Sequence, residues 1–279
     1  MTLWYALCDG LSLEILHWNF MKNAFLAVLL MAPLFGLTST MIVTGRMSFF
    51  SDALGHSAFT GIAIGAICGF AGPTWIAVLF SITFSLLFSF VRSRSNHTAD
   101  TLIGVFSSTA VALGIFIATL DGSSFTKYNK YLIGDILSAT PTEITYLALT
   151  LLIVVLFWVL FSNKLTLSSV YPQLASSRGL QTSVLQTAFT VLIAVIVTLA
   201  ISWVGLLILN SLLVLPAASS RNISKNLRQY HLFSILFALF AGIIGLCLSY
   251  YYGVSAGAAI SLVLAFIFFI TFSLRKVRA

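Results

Sequence analysis

The stretch ITYLALTLLIVVLFWVLF, residues 144–161, decides the class of fold. It carries no charge and does not alternate between apolar and polar residues. A helix needs roughly 20 apolar residues to cross a hydrocarbon core of about 30 Å, whereas a barrel strand needs about half as many, in alternation. Stretches of the same kind lie at about 23–44, 48–68, 74–91, 102–120, 184–202, 204–219, 232–252 and 256–274, the one at 204–219 being short. The whole chain agrees: 279 residues, 59% hydrophobic, 8% charged, with a mean hydropathy of +1.06. A water-facing shell needs roughly 25–35% charged residues, so lipid must cover most of this surface. In lipid only helices and closed barrels satisfy their own backbone. The sequence therefore predicts an all-α, polytopic transmembrane bundle of eight or nine spans.

Residues 1–22 hold Asp9 and Glu14 with no basic residue ahead of the apolar positions, unlike a cleavable signal peptide. They read as an interfacial segment with Trp4 and Trp18 near the headgroups. Residues 23–279 form the membrane domain. Cys8, Cys68 and Cys247 are scattered and include no CxxC, which indicates neither a disulfide framework nor a thiolate metal cluster.

The net charge of +7 reflects loop bias rather than a nucleic-acid surface. With nine spans, alternate loops place Arg46, Arg92, Arg94, Lys164, Arg178, Arg221, Lys225, Arg228, Arg275, Lys276 and Arg278 on one side, and only Lys22, Lys127 and Lys130 on the other. Eleven against three makes the first side cytoplasmic, with the C-terminus inside and the N-terminus outside. Two loops are long. The external one, about 121–143, contains Gly134-Asp135 and Pro141 and predicts a short helix bounded by turns. The cytoplasmic one, about 163–182, predicts a short surface helix from Pro172 to Gly179, since proline suits a first helical turn and glycine a helix end.

An ionisable residue inside a span costs at least a few kcal/mol, so each one is a functional candidate. The second span holds Ser51-Asp52-Ala53-Leu54-Gly55-His56-Ser57. Asp52 and His56 stand at i and i+4, on one helix face about 6 Å apart along the axis, where a carboxylate oxygen and an imidazole nitrogen can reach one cation. Zinc takes four ligands and manganese about six, so two ligands alone hold such an ion weakly. A two-fold axis beside this helix would double the set. An internal ion pair between helices and a proton relay remain alternative readings of the pair. Gly61, Gly65 and Gly69 recur every fourth residue, a small-residue stripe suited to close helix packing. Asn210, near Pro216 in the short seventh span, reads as capping or hydrogen-bonding a broken helix, with substrate contact as the alternative. Asp100 reads as a helix-start carboxylate, and Asp135 as an external residue that attracts cations or ends a turn. His17, His97 and His231 lie near predicted interfaces and read as facing headgroups or water. Gly-Lys, His-Glu-x-x-His and Gly-x-Ser-x-Gly are all missing, so any ATP hydrolysis must come from another chain.

Several of these segments resemble the membrane permeases of ABC-type zinc, manganese and iron uptake systems. The likeness is strongest from Arg46-Met47-Ser48 through Asp52-Ala53-Leu54-Gly55-His56-Ser57. It continues in Asp100-Thr101-Leu102-Ile103-Gly104, in Tyr131 to Leu137 with Pro141-Thr142-Glu143, and in Leu212 to Ala218. In order and spacing these motifs cover the chain from about residue 23 to its end. The resemblance implies a type II-like importer permease of the bacterial inner membrane, working with a second permease copy or paralogue. It also implies cytoplasmic ATPase subunits and an extracytoplasmic metal-binding protein. The cargo would be zinc, manganese or ferrous ion, with no permanently bound cofactor. The family's transmembrane metal site matches Asp52 and His56. Its coupling segment aligns with Tyr171 to Leu180, where the usual Asp-Pro-Glu-Leu-Ala stands here as Tyr171-Pro172-Gln173-Leu174-Ala175, followed by Arg178-Gly179. The rival readings are an ion-coupled carrier, an intramembrane metal hydrolase, and a permease for a metal chelate or vitamin.

Overall fold

The computed structural model describes Trp4, Tyr5, Cys8, Gly10 and residues 14–69, 73–120 and 129–276, and among these described residues eleven helices and two 3-10 turns have defined bounds. In chain order the helices are α1 (Asn19–Thr44), α2 (Phe50–Ile67), α3 (Pro73–Arg94), α4 (Ala99–Leu120), α5 (Asn129–Ile133), α6 (Pro141–Val170), α7 (Pro172–Ser177), α8 (Thr182–Val204), α9 (Leu206–Ile223), α10 (Leu227–Tyr252) and α11 (Ala256–Lys276). The turns are Glu14–His17 and Ile136–Ser138. Nine residues of the predicted interfacial segment (1–3, 6, 7, 9 and 11–13) and residues 121–128 of the predicted external loop lie outside the described residues.

Among the described residues, seven helices are long and apolar enough to cross a membrane, against the eight or nine predicted. α2, 18 residues long, lies outside that set, its apolar content diluted by Asp52, His56, the serines and the glycines. A helix sheathed by protein has no need to match lipid, and from Phe50 to Ala63 every residue of α2 is buried except Asp52 and His56.

The chain divides into two compact units. One comprises residues 1–40, 133–156 and 211–279. In it the hydroxyls of Ser39 and Ser234 meet at 3.1 Å, and Ser234 donates to the Gly36 carbonyl at 2.7 Å, joining α1 to α10. His231 belongs to the same seam, its Nδ1 lying 2.9 Å from Thr40 Oγ1. This half-buried placement corrects the expectation that His231 faces headgroups or water: it sits in the second turn of α10, against α1, not in a loop.

The other unit comprises residues 41–132 and 157–210 and is organised around α2, which packs against α3, α4 and α8. Its core gathers Ala58, Phe59, Ile62 and Ala63 of α2 with Ala77, Ala118 and Ile201. Close approach depends on missing side chains. A Cβ at Gly61 would stand 2.5 Å from Ala77 Cα, and one at Gly114 would stand 2.8 Å from Thr60 Oγ1. Hydroxyls then stitch the helices: Thr60 donates to the Ala110 carbonyl at 2.8 Å, and Ser57 to Ser81 at 3.3 Å. The predicted glycine stripe is therefore partly a packing device. Gly61 lets α3 approach, whereas Gly69 lies beyond the end of α2 with φ +73°, in a turn.

This geometry makes a stability prediction. Gly61→Ala forces a methyl into the α3 backbone and should cost about 1–3 kcal/mol, lowering the thermal unfolding midpoint of the detergent-purified protein. Gly104→Ala, on an exposed part of α4 where an added Cβ meets no atom within 4 Å, should leave the midpoint at or slightly above that of the parent. Equal midpoints for the two variants would contradict the close contact at Gly61.

Candidate functional site

The site begins where α1 ends. Gly45 N–H returns to the Met41 carbonyl at 2.7 Å and Met47 N–H to the Ile42 carbonyl at 2.9 Å, while Arg46 takes φ +54°, a left-handed conformation that closes the helix. After Ser48 and Phe49 the chain turns into α2, which puts Asp52 in that helix's first turn. A carboxylate there offsets the positive end of the helix dipole. Its neighbour Ser51 is buried, its hydroxyl donating to Asn210 Oδ1 at 2.6 Å and lying 3.0 Å from the Ser48 carbonyl.

One turn further on, His56 Nε2 lies 3.6 Å from Asp52 Oδ2. The side chains are 23% and 41% exposed respectively, the opening on an otherwise buried stretch of helix. The separation suits two ligands of one ion: bonds of about 2.0–2.2 Å at a tetrahedral angle set ligand atoms roughly 3.4 Å apart. Among the described residues no group of three or more His, Cys, Asp or Glu side chains comes together.

Asn210 reaches the site because the chain breaks just before it. Gly205, with φ +85° and ψ 147°, ends α8 and lets α9 start at Leu206 in a new direction. A Cβ at Gly55 would stand 2.5 Å from Leu206 Cδ1, so the start of α9 lies directly on α2. The sequence reading anticipated a broken helix near Asn210 but not where it breaks or what Asn210 holds. Ser51 was missed altogether. Its only signal was adjacency to Asp52.

The other predicted residues lie elsewhere. Asp135 is exposed, and its Oδ1 accepts the Leu137 N–H at 3.1 Å, capping the Ile136–Ser138 turn. Glu143 accepts from the Thr140 N–H and hydroxyl at 2.9 and 2.8 Å, starting α6. Asp100 stands in the first turn of α4, as expected. The predicted surface helix is α7: Tyr171 is its N-cap residue, Pro172 opens it, and Arg178 precedes Gly179 at φ +72°. Leu180 N–H bonds back to the Ala175 carbonyl at 3.1 Å to close the end. Ala175 is buried while Tyr171 and Leu174 remain 62% and 45% exposed, and Gln173 and Arg178 are exposed beside them. The result is a short apolar knob with a polar rim.

Comparison with known proteins places this architecture. The high-affinity zinc uptake system membrane protein ZnuB of Haemophilus influenzae is 27% identical over 248 residues, which cover 89% of this chain and 93% of that protein. The manganese transport system membrane protein MntC of Listeria monocytogenes is 28% identical over 261 residues, covering 92% and 91%. The solved structure of PsaBC from Streptococcus pneumoniae in complex with Fab superposes with a TM-score of 0.81 at 26% identity, covering 98% of this chain and 95% of that one. The profile of the ABC 3 transport family matches residues 17–275, nearly the whole sequence, and the chain belongs to that family.

Proposed function

We propose that this chain is the membrane-spanning permease of an ATP-driven importer for a divalent transition metal ion. One observation carries the reading: Asp52 and His56 are the two open positions on a helix otherwise buried from Phe50 to Ala63, at the separation of two ligands on one ion. The zinc and manganese named for the relatives support those two ions as cargo, and one carboxylate with one imidazole suits ferrous ion as well. Two copies, or this chain with a paralogue, would bring two carboxylates and two imidazoles to a shared ion. The ATPase is a separate subunit in such systems, and Tyr171, Leu174 and the rim of Gln173, Arg178 and Gly179 would form the surface it meets. Asp135, exposed on the external side of the charge-derived topology, would stand near the entrance where a binding protein delivers the ion. On the same reading the protein lies in the bacterial inner membrane with its C-terminus inside, which the membrane-permease relatives and the loop charges support.

Reconstitution with the partner ATPase tests this. Zinc or manganese should stimulate ATP hydrolysis by the parent complex. Asp52→Asn and His56→Ala should each lower that stimulation by at least the roughly tenfold that loss of an outer-sphere partner produces, with basal hydrolysis retained. Undiminished stimulation in both variants would sink the assignment. A second prediction concerns support for the site. Ser51→Ala and Asn210→Ala should each raise the metal concentration for half-maximal stimulation by about tenfold. The double variant should be little worse than either one, because both remove a single hydrogen bond. Additive losses would mean that the two residues act separately.

A further inference from the structure

At the C-terminal end of α3 and the N-terminal end of α8 lies a cavity of about 270 Å³ with a polar lining, including Ser89, Arg92, Thr182, Ser183, Gln186 and Thr187. No carboxylate lines it, and among the described residues none pairs with Arg92. The hydrogen bond that Arg92 makes is to Met47 Sδ at 3.3 Å. A thioether is a weak acceptor for a planar guanidinium with five N–H donors, which leaves most of that capacity unused. The neighbouring Arg94 differs, lying 4.4 Å over the Phe90 ring. Hydroxyls surround Arg92 in two states. Those of Ser89 and Thr190 bond to each other at 3.0 Å, while those of Thr182, Ser183 and Thr187 make no hydrogen bond within the described residues. A guanidinium without a counter-ion beside three unused hydroxyl donors is complementary to a tetrahedral oxyanion, which accepts at several oxygens at once.

The depth of the cavity narrows the ligand. By length and composition, the stretch of α3 able to span a membrane runs from Thr74 to Arg94. Arg92 is eighteen residues beyond Thr74, about 27 Å along the axis, which is close to the full thickness of a hydrocarbon core of about 30 Å. That is headgroup level. We propose that this cavity binds a phosphoryl oxyanion, supplied by the headgroup of an anionic phospholipid. Arg92 and Gln186 also line a smaller cavity of about 120 Å³ that reaches Pro172, the first residue of α7. A headgroup held by Arg92 therefore braces the wall beneath α7. This inference is independent of the metal reading, since it uses neither Asp52 nor His56.

The test uses the full chain in nanodiscs of phosphatidylcholine alone, with added phosphatidylglycerol, or with inorganic phosphate in the buffer. Phosphatidylglycerol should raise the thermal unfolding midpoint of the parent and be retained in native mass spectra. Arg92→Gln should lower that retention by about tenfold, the loss of a charge-assisted pair, and Arg92→Lys should restore part of it. Should Arg92→Gln fail to fold, the double substitution Ser183→Ala with Thr187→Val removes hydroxyl donors while keeping the charge, and should also weaken retention. Stabilisation by inorganic phosphate alone, lost in the same variants, would support the oxyanion pocket and make its source soluble. No preference for phosphatidylglycerol and no response to phosphate would overturn the proposal, as would full retention in Arg92→Gln.

Discussion

One polar helix has to be kept out of lipid, and the unit formed by residues 41–132 and 157–210 is arranged to do so. Ionisable side chains such as Asp52 and His56 are costly to expose to hydrocarbon. The chain answers by wrapping α2 in α3, α4 and α8, apolar helices that meet the membrane in its place. That wrapping is possible because Gly61 and Gly114 remove the side chains that would hold α3 and α4 away. Between helices in a membrane there is little hydrophobic driving force, so close backbone contact and hydroxyl bonds such as Thr60 to Ala110 supply the attraction.

Sheathing a helix does not aim it. Successive residues on a helix point about 100° apart, so fixing one side chain sets the direction of the next. Ser51, held at 2.6 Å by Asn210, fixes the rotation of α2 about its axis and with it the bearing of Asp52 and His56. The break at Gly205 brings Asn210 within reach, for a straight continuation of α8 would carry residue 210 onward along the α8 axis. The bearing of Asp52 and His56 therefore depends on a glycine and an amide that carry no metal chemistry of their own.

Much of this was legible in the sequence because the relevant signals are local. Uncharged stretches of span length marked the helices, and i, i+4 spacing marked Asp52 with His56. Proline and glycine bounded α7, which forms where Pro172 and Gly179 place it. The rest was not legible because it depends on what a residue meets across space. Gly205 reads like any small residue between apolar runs until its φ of +85° is known. His231 reads as interfacial until Thr40 is found beside it. The shielding of α2 is of the same kind, since hydropathy cannot report the neighbours α3, α4 and α8 that cover it.

Two ligands per chain also fit what a permease must do with its cargo. A closed structural zinc site contributes about 10–16 kcal/mol, and an ion held that tightly leaves too slowly to be transported. A half-site with one carboxylate and one imidazole avoids the trap. On the proposed reading, affinity arises when two chains present their halves to one ion and falls when the chains move apart, because each half alone is far short of a full coordination shell. ATP binding and hydrolysis then act on the separation of two rigidly aimed helices, not on the ligands themselves. That arrangement explains why Asp52 and His56 need a fixed bearing on α2 and an open side: a flexible pair would follow the ion, and a covered pair would never meet its counterpart.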